Sequence, residues 1–273
     1  MTGEDRMEWI KRKGLWISGY FLLMMFLFTR GFYNPFFVLL IGLFLIIVFL
    51  KEENRLFGWM IISFFLGNLL LGYMDHFIES FHLSPFLLIM MSQLLLLIPI
   101  LMISFVVKQF NQEITPYFHR PIFTEEIQLP FKIVFSFKRF VLIFALMAVL
   151  FLGITLQFQK DGLHWLPFLL ILLFALVNAI LDEILWRGIL LPKLIRHTSQ
   201  PIGIVITSIA FGINTTMFGF SVIIYMIYIF LGFMLAFLTV KSRSVLPAMI
   251  AHTYVTTILL LNGVMSIPVY FGS

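Results

Sequence analysis

The residues with the clearest chemical potential are two adjacent acids, Asp182 and Glu183, within the apolar run LVNAILDEILWRGIL. All but these two of the thirteen acidic residues fall in the termini or in polar gaps. Ionisable groups inside a membrane span are expensive to bury and therefore point to function. On a helix, Arg187 shares a face with Glu183, whereas Asp182 points about 100° away. The two acids therefore cannot do the same job: Arg187 can hold one of them ionised, and the other can face a cavity.

A second chemical group is His252, in the apolar run SVLPAMIAHTYVTT, with Thr256 one helical turn later on the same face. A carboxylate can take a proton from water, and a histidine can share that task or donate a hydrogen bond to a developing oxyanion. The remaining histidines lie in polar gaps, and we expect no catalytic role for them: His76, His82, His119, His164 and His197.

These residues leave three interpretations open. In the first, Glu183 and Arg187 form a buried ion pair that fixes helix packing, and His252 is a core histidine with satisfied hydrogen bonds. In the second, the group belongs to an ion-coupled carrier or channel. In the third, it hydrolyses a peptide bond within the membrane.

The composition indicates where this chemistry takes place. The chain has 273 residues, of which 61% are hydrophobic and 11% charged, against about 45–50% and 25% in soluble domains. This predicts an all-α, polytopic integral membrane protein whose first partner is the lipid bilayer. The absence of cysteine excludes a disulfide scaffold and thiolate metal sites. The net charge of +5 lies in short gaps between apolar runs, so we expect no nucleic-acid partner.

The apolar runs predict eight or nine transmembrane helices, because a span needs roughly 20 apolar residues. The short seventh run is the uncertain one, and we expect no cleavable signal peptide. The predicted spans are 15–29, 34–50, 57–73, 84–107, 140–157, 165–186, 202–213, 218–238 and 244–262.

Lysine and arginine concentrate in alternate gaps between these spans. They precede the first span and follow the second, fourth, sixth and eighth: Arg6, Lys11, Arg12, Lys13; Lys51, Arg55; Lys108, Arg120, Lys132, Lys138, Arg139; Lys193, Arg196; Lys241, Arg243. By the positive-inside rule the N-terminus is cytoplasmic, and nine spans would put the C-terminus outside.

The longest polar gap suggests how the chain is divided. We predict an accessory four-span bundle at 1–107, a cytoplasmic linker at 108–138 that ends in an amphipathic stretch, and a helical core at 139–265. The sequence contains no internal repeat, so an inverted-repeat transporter gains no support from it.

The segment from Asp182 to Gly188 resembles the EExxxR signature of the CAAX-protease and bacteriocin-processing family (CPBP, also called Abi). The family's second motif, FxxxH, follows about 30 residues on, and Phe211 stands at that distance in the sequence FGINT. Its third motif, HxxxN, follows a small-residue and proline turn, as His252 does here after Leu246-Pro247-Ala248.

The match to the motifs is incomplete. Glu183, Arg187 and His252 agree with the family, but its water-activating glutamate falls on Asp182. The histidine of the second motif falls on Thr215, and the asparagine of the third, an oxyanion donor, falls on Thr256. Losing a general base commonly lowers the rate by about 10²–10⁴.

The resemblance implies a CPBP-like core and a glutamate-type intramembrane endopeptidase that acts on a peptide or membrane protein from the cytoplasmic side. Processing of small peptides, or immunity to bacteriocins, in a bacterial plasma membrane would fit the family. The altered motif residues keep a non-catalytic scaffold that binds a partner protein as an alternative, and an ion-coupled transporter is a second one. We expect no cofactor and no metal site, since the sequence lacks HExxH and a second histidine near His252.

Overall fold

The computed structural model describes residues 3–81, 83–114, 116–124, 126–129, 133–139, 141–143, 145–146, 149–150, 165–215 and 222–262. The N-terminal half contains α1 (Gly3–Thr29), α2 (Tyr33–Ile46), α3 (Glu52–Glu79), α4 (Pro85–Leu94) and α5 (Leu97–Gln109), with a 3₁₀ turn at Ile47–Phe49. The C-terminal half contains α6 (Trp165–Glu183), a π-helical segment (Ile184–Leu190), α7 (Leu191–His197), α8 (Gln200–Asn214), α9 (Val222–Ser242) and α10 (Leu246–Leu261).

The chain is a predominantly helical membrane protein, as its composition predicted, with one short β-hairpin among the described residues. Among the described residues, apolar helices coincide with eight of the nine predicted spans, and much of the fifth, 140–157, lies outside them. Four are long and apolar enough to cross a membrane: Asn54–Glu79, Phe86–Gln109, Phe168–His197 and Tyr225–Ser242. Shorter apolar helices are Gly14–Thr29, Tyr33–Phe49, Gln200–Asn214 and Leu246–Leu261.

The fourth predicted span, 84–107, is confirmed by the apolar helical stretch Phe86–Gln109. It contains a local turn at Leu95 and Leu96, between α4 and α5, where the backbone dihedral angles stay in the helical region. Pro99 has no N–H to donate to the carbonyl of Leu95 four residues earlier, which explains the irregularity.

A short β-hairpin lies within the gap predicted to be a linker. Strand β1 (Glu126–Leu129) pairs antiparallel with β2 (Ile133–Ser136), so that Glu126 is opposite Ser136 and Leu129 is opposite Ile133. The sequence analysis predicted an amphipathic stretch here and did not predict strands. The apolar run IVFS does have the β-branched and aromatic composition that favours a strand.

The helices group into two compact units. One comprises Met1–Tyr73, Leu96–Pro116 and Ile184–Phe237, and the other comprises Met74–Leu95, Tyr117–Glu183 and Leu238–Ser273. The division into 1–107, 108–138 and 139–265 stays a prediction.

The first unit has an aromatic core. Phe65 packs against the rings of Phe21, Phe28, Phe36 and Phe64 at centroid distances of 5.1–6.0 Å. Such tilted and edge-to-face pairs add to the apolar packing. Helices α3 and α5 approach closely where Gly67 meets Pro99, since a Cβ on Gly67 would lie 2.6 Å from the Cα of Pro99.

Within each unit, the polar segments that are rich in lysine and arginine contact one another. In the first unit, Lys193 Nζ donates to the carbonyl of Glu113 over 2.8 Å, and Arg196 bonds the side chain of Gln112. In the second unit, the N–H of Val245 donates to the carbonyl of Tyr117 over 3.1 Å. The orientation of these segments across the membrane stays a prediction.

Candidate active site

Helix α6 runs directly into a π-helical segment, Ile184–Leu190, that contains Arg187. Pro192 follows in the first turn of α7 and has no N–H for the carbonyl of Gly188, so the regular α-helical ladder cannot continue here. π-Helical turns are rare and occur frequently at functional sites. The local geometry therefore changes one residue after Glu183.

Glu183 and His252 form a direct, buried pair within the second unit. The Oε1 atom of Glu183 lies 2.8 Å from Nδ1 of His252, and the side chains are 0% and 2% exposed. The pair lies where α6 packs against α10, two helices in extensive contact. The sequence indicated both residues as candidates, but it did not predict that they pair. The predicted ion pair between Glu183 and Arg187 stays a prediction.

Asp182 has a different environment from Glu183, as the helical geometry of the two acids predicted. Its side chain is half-buried, whereas that of Glu183 is fully buried. Asn178, one turn earlier on the same face, donates through Nδ2 to Oε1 of Gln93 on α4 over 2.9 Å.

Arg187 lies in the first unit and contacts the phenylalanine of the second motif. Its Cζ atom lies 4.2 Å from the centroid of the Phe211 ring, and Nη2 donates to the carbonyl of Gly232 over 3.3 Å. Arg187 is 1% exposed, so this is a desolvated cation–π contact. Trp186 packs edge-to-face on Phe211 from another side, at 5.9 Å between centroids. The arginine of the first motif and the phenylalanine of the second thus stabilise one helix contact.

The two threonines at altered motif positions are both buried. Thr215 follows the end of α8, and its hydroxyl donates to the carbonyl of Gly212 over 2.6 Å. Thr256 lies on α10, four residues after His252 and therefore on the same face. The hydroxyl proton of Thr215 is committed to the backbone.

Residues 164–258 match the family model described as Rce1-like, type II CAAX prenyl endopeptidase. This part of the chain is similar to the Rce1-like family. The match confirms the resemblance to the CPBP family that the sequence motifs carry. No curated protein and no solved structure matches the chain.

The Rce1-like segment contains every residue that the sequence analysis selected. These are Asp182, Glu183, Arg187, Thr215, His252 and Thr256. Among the residues that the structure describes, no group of three or more His, Cys, Asp or Glu side chains could hold a metal ion.

Sequence reasoning missed a polar group that lies outside the Rce1-like segment. On α4, Ser92 Oγ donates to Asp75 Oδ1 over 2.5 Å, and the next residue, Gln93, accepts from Asn178. Uncharged polar side chains in an apolar run were the available signal, but such residues also occur in helix packing and carry little weight alone.

Proposed function

We propose that the protein is an intramembrane endopeptidase that cleaves a peptide or membrane-protein substrate. Asp182 and His252 are its proposed catalytic residues. The observation that carries this proposal is the buried Glu183–His252 hydrogen bond within an Rce1-like segment. The matched family is described as a CAAX prenyl endopeptidase. The proposed substrate class is therefore a lipid-attached peptide, which reaches the site from the cytoplasmic side.

The pair with Glu183 prepares His252 to act as a hydrogen-bond donor. One proton lies between Nδ1 and Oε1, so His252 acts on a substrate through Nε2. When the pair is neutral overall, Nε2 carries a proton and donates; when the pair carries one negative charge, Nε2 lacks that proton and accepts. The proposed reaction uses the first of these states, in which Nε2 of His252 donates to the oxyanion.

Asp182 acts as the base in the proposed reaction. Its carboxylate takes a proton from water, and the water oxygen forms a bond to the scissile carbonyl carbon. The carbonyl electron pair moves to the oxygen, which accepts a hydrogen bond from Nε2 of His252. When the intermediate collapses, the C–N bond breaks and the proton on Asp182 passes to the leaving amine. The products are a carboxyl group and an amine.

A second candidate function is a non-catalytic scaffold that binds a membrane partner. The observation that favours it is the hydrogen bond from Thr215 to Gly212, which uses the hydroxyl at the position where the family has a histidine. In either role, we place the protein in a bacterial plasma membrane with a cytoplasmic N-terminus, where peptide processing or immunity to a bacteriocin would be its cellular task.

A cleavage assay in proteoliposomes tests the proposal. The probes are a prenylated peptide ending in a CAAX sequence and the same peptide without the lipid, with products identified by mass spectrometry. We expect cleavage of the lipid-bearing peptide that Asp182→Asn and His252→Ala each reduce by about 10²-fold or more. Thr253→Ala, on the next residue of α10, is the matched control and should cleave normally.

If the parent protein cleaves neither peptide while circular dichroism shows intact helices, the proposed endopeptidase activity is contradicted. The scaffold then predicts that Asp182→Asn leaves the cellular phenotype unchanged. Loss of the phenotype in this variant, with normal insertion and melting, would contradict the scaffold.

A further inference from the structure

Polar side chains in the second unit form a line from the end of α3 toward Asp182. Asp75 lies four residues before the last residue of α3 and accepts a hydrogen bond from Ser92 Oγ. Gln93, the next residue of α4, accepts a hydrogen bond from Asn178 of α6. Asn178 lies one helical turn before Asp182 on the same face. The three steps connect one end of a span with the proposed base.

The amide pair at the centre of this line has unused hydrogen-bonding capacity. Gln93 Nε2 and Asn178 Oδ1 make no further hydrogen bond within the part of the chain that the structure describes, and both residues are partly exposed. Asn178 is about 15 Å along its apolar helix from Phe168, at a rise of about 1.5 Å per residue. At such depth, contact with lipid tails would leave these polar atoms unsatisfied.

The backbone beside Gln93 gives a second, independent indication. Pro99 has no N–H, so the carbonyl of Leu95, two residues after Gln93, lacks its usual helical donor. Carbonyl groups freed by proline in membrane helices are satisfied by neighbouring helices, polar side chains or ordered water. The amide pair and this carbonyl lie next to each other in the chain.

We propose that Asp75, Ser92, Gln93 and Asn178 form a water path that supplies Asp182 from the membrane surface near residues 74–83. This deepens the proposed hydrolase, which needs a water molecule inside the bilayer for each bond that it breaks. Water satisfies the remaining polar atoms of the two amides and the carbonyl of Leu95 at the same time. The path is a positioning and supply element, and its residues do not contact the reacting atoms.

The absence of native cysteine allows a direct test by single-cysteine reactivity. Ser92→Cys and Asn178→Cys are placed on the path. Met91→Cys and Leu176→Cys are matched controls on the same helices, because the native side chains are 39% and 43% exposed on apolar faces. The probe is a charged, membrane-impermeant methanethiosulfonate reagent, added to proteoliposomes without any substrate.

We expect the path cysteines to react about tenfold faster or more than the controls, because the reactive thiolate forms where water reaches the sulfur. Adding Gln93→Leu to Asn178→Cys should lower its rate toward the control value, whereas adding Met91→Leu should not. Thermal unfolding verifies that each variant is folded. Equal rates at path and control positions, or no effect of Gln93→Leu, would overturn the proposal.

The outcome is separable from that of the cleavage assay. Unreactive path cysteines in a protein that cleaves its peptide would contradict the water path alone. Reactive path cysteines in a protein that cleaves nothing would support the path and contradict the endopeptidase.

Discussion

Glu183 and His252 are 69 positions apart in the chain, yet their side chains are joined by a 2.8 Å hydrogen bond with almost no solvent exposure. The contact fixes α10 against α6 at a depth where neither group can be hydrated. Removing one partner leaves the other buried without its principal partner. The pair is therefore both a packing contact and the centre of the proposed chemistry.

The first prediction concerns the stability that this pair provides. His252→Ala should lower the free energy of unfolding by about 3–5 kcal/mol, because Glu183 is then left buried without its imidazole. Unfolding in detergent, followed by circular dichroism, measures the loss, and Thr253→Ala should change it by less than about 1 kcal/mol. A melting curve of His252→Ala identical to the parent's would show that the pair does not stabilise the helix contact.

The second prediction concerns Arg187 and Phe211. Arg187→Lys should be destabilising although the charge is kept, because an ammonium group lacks the planar face that stacks on the ring. A double-mutant cycle with Phe211→Leu should give a coupling energy of about 2 kcal/mol, as for a desolvated cation–π contact.

The matched control for this cycle is Phe230→Leu, on an exposed position of α9. Its coupling to Arg187→Lys should be zero within error. A coupling for Phe211 no larger than that for Phe230 would contradict the stacking.

The third prediction uses two glycines of α3. Gly67→Ala should destabilise the protein by about 1–3 kcal/mol, because its Cβ would meet the backbone of Pro99, which cannot rotate away. Gly72→Ala, with nothing within 4 Å of the added Cβ, should instead be neutral or stabilise by up to about 1 kcal/mol through helix propensity. Thermal unfolding of the two variants side by side checks the sign, and equal effects would refute the close approach.

The fourth prediction restores the family residues at altered positions. The triple variant Asp182→Glu, Thr215→His and Thr256→Asn should cleave faster than the parent by about 10²–10⁴, since it regains a general base and an amide donor. The lipid-bearing peptide in proteoliposomes is the assay. Adding His252→Ala to the triple variant should abolish the gain, and a persisting gain would mean that the new activity does not use this site.

The fifth prediction separates these roles from ion-coupled transport. In proteoliposomes, an ion-coupled carrier would take up solute driven by a pH or ion gradient. The Asp182→Asn variant would lose this uptake. Because the sequence lacks an internal repeat, we expect no gradient-driven flux in the parent protein. Flux that disappears with Asp182→Asn would establish the carrier instead.

Hydropathy along the chain was sufficient to locate eight apolar helices among the described residues. Each span is a local property, because about 20 consecutive apolar residues have to be present whatever the neighbouring helices are. For the same reason Glu183 and His252 stood out, as ionisable groups inside apolar runs. The motif spacing was also readable, since it depends only on positions in the sequence.

Partner choice was decided by the tertiary structure. The sequence could propose that Arg187 meets Glu183, because residues four apart on one helix are neighbours. That His252 reaches Glu183, and that Phe211 receives Arg187, depends on which faces of distant helices come together. The pairing of β1 with β2 belongs to the same class. A linear pattern specifies which side chains a helix carries on each face, but the packing of many helices at once determines what each face meets.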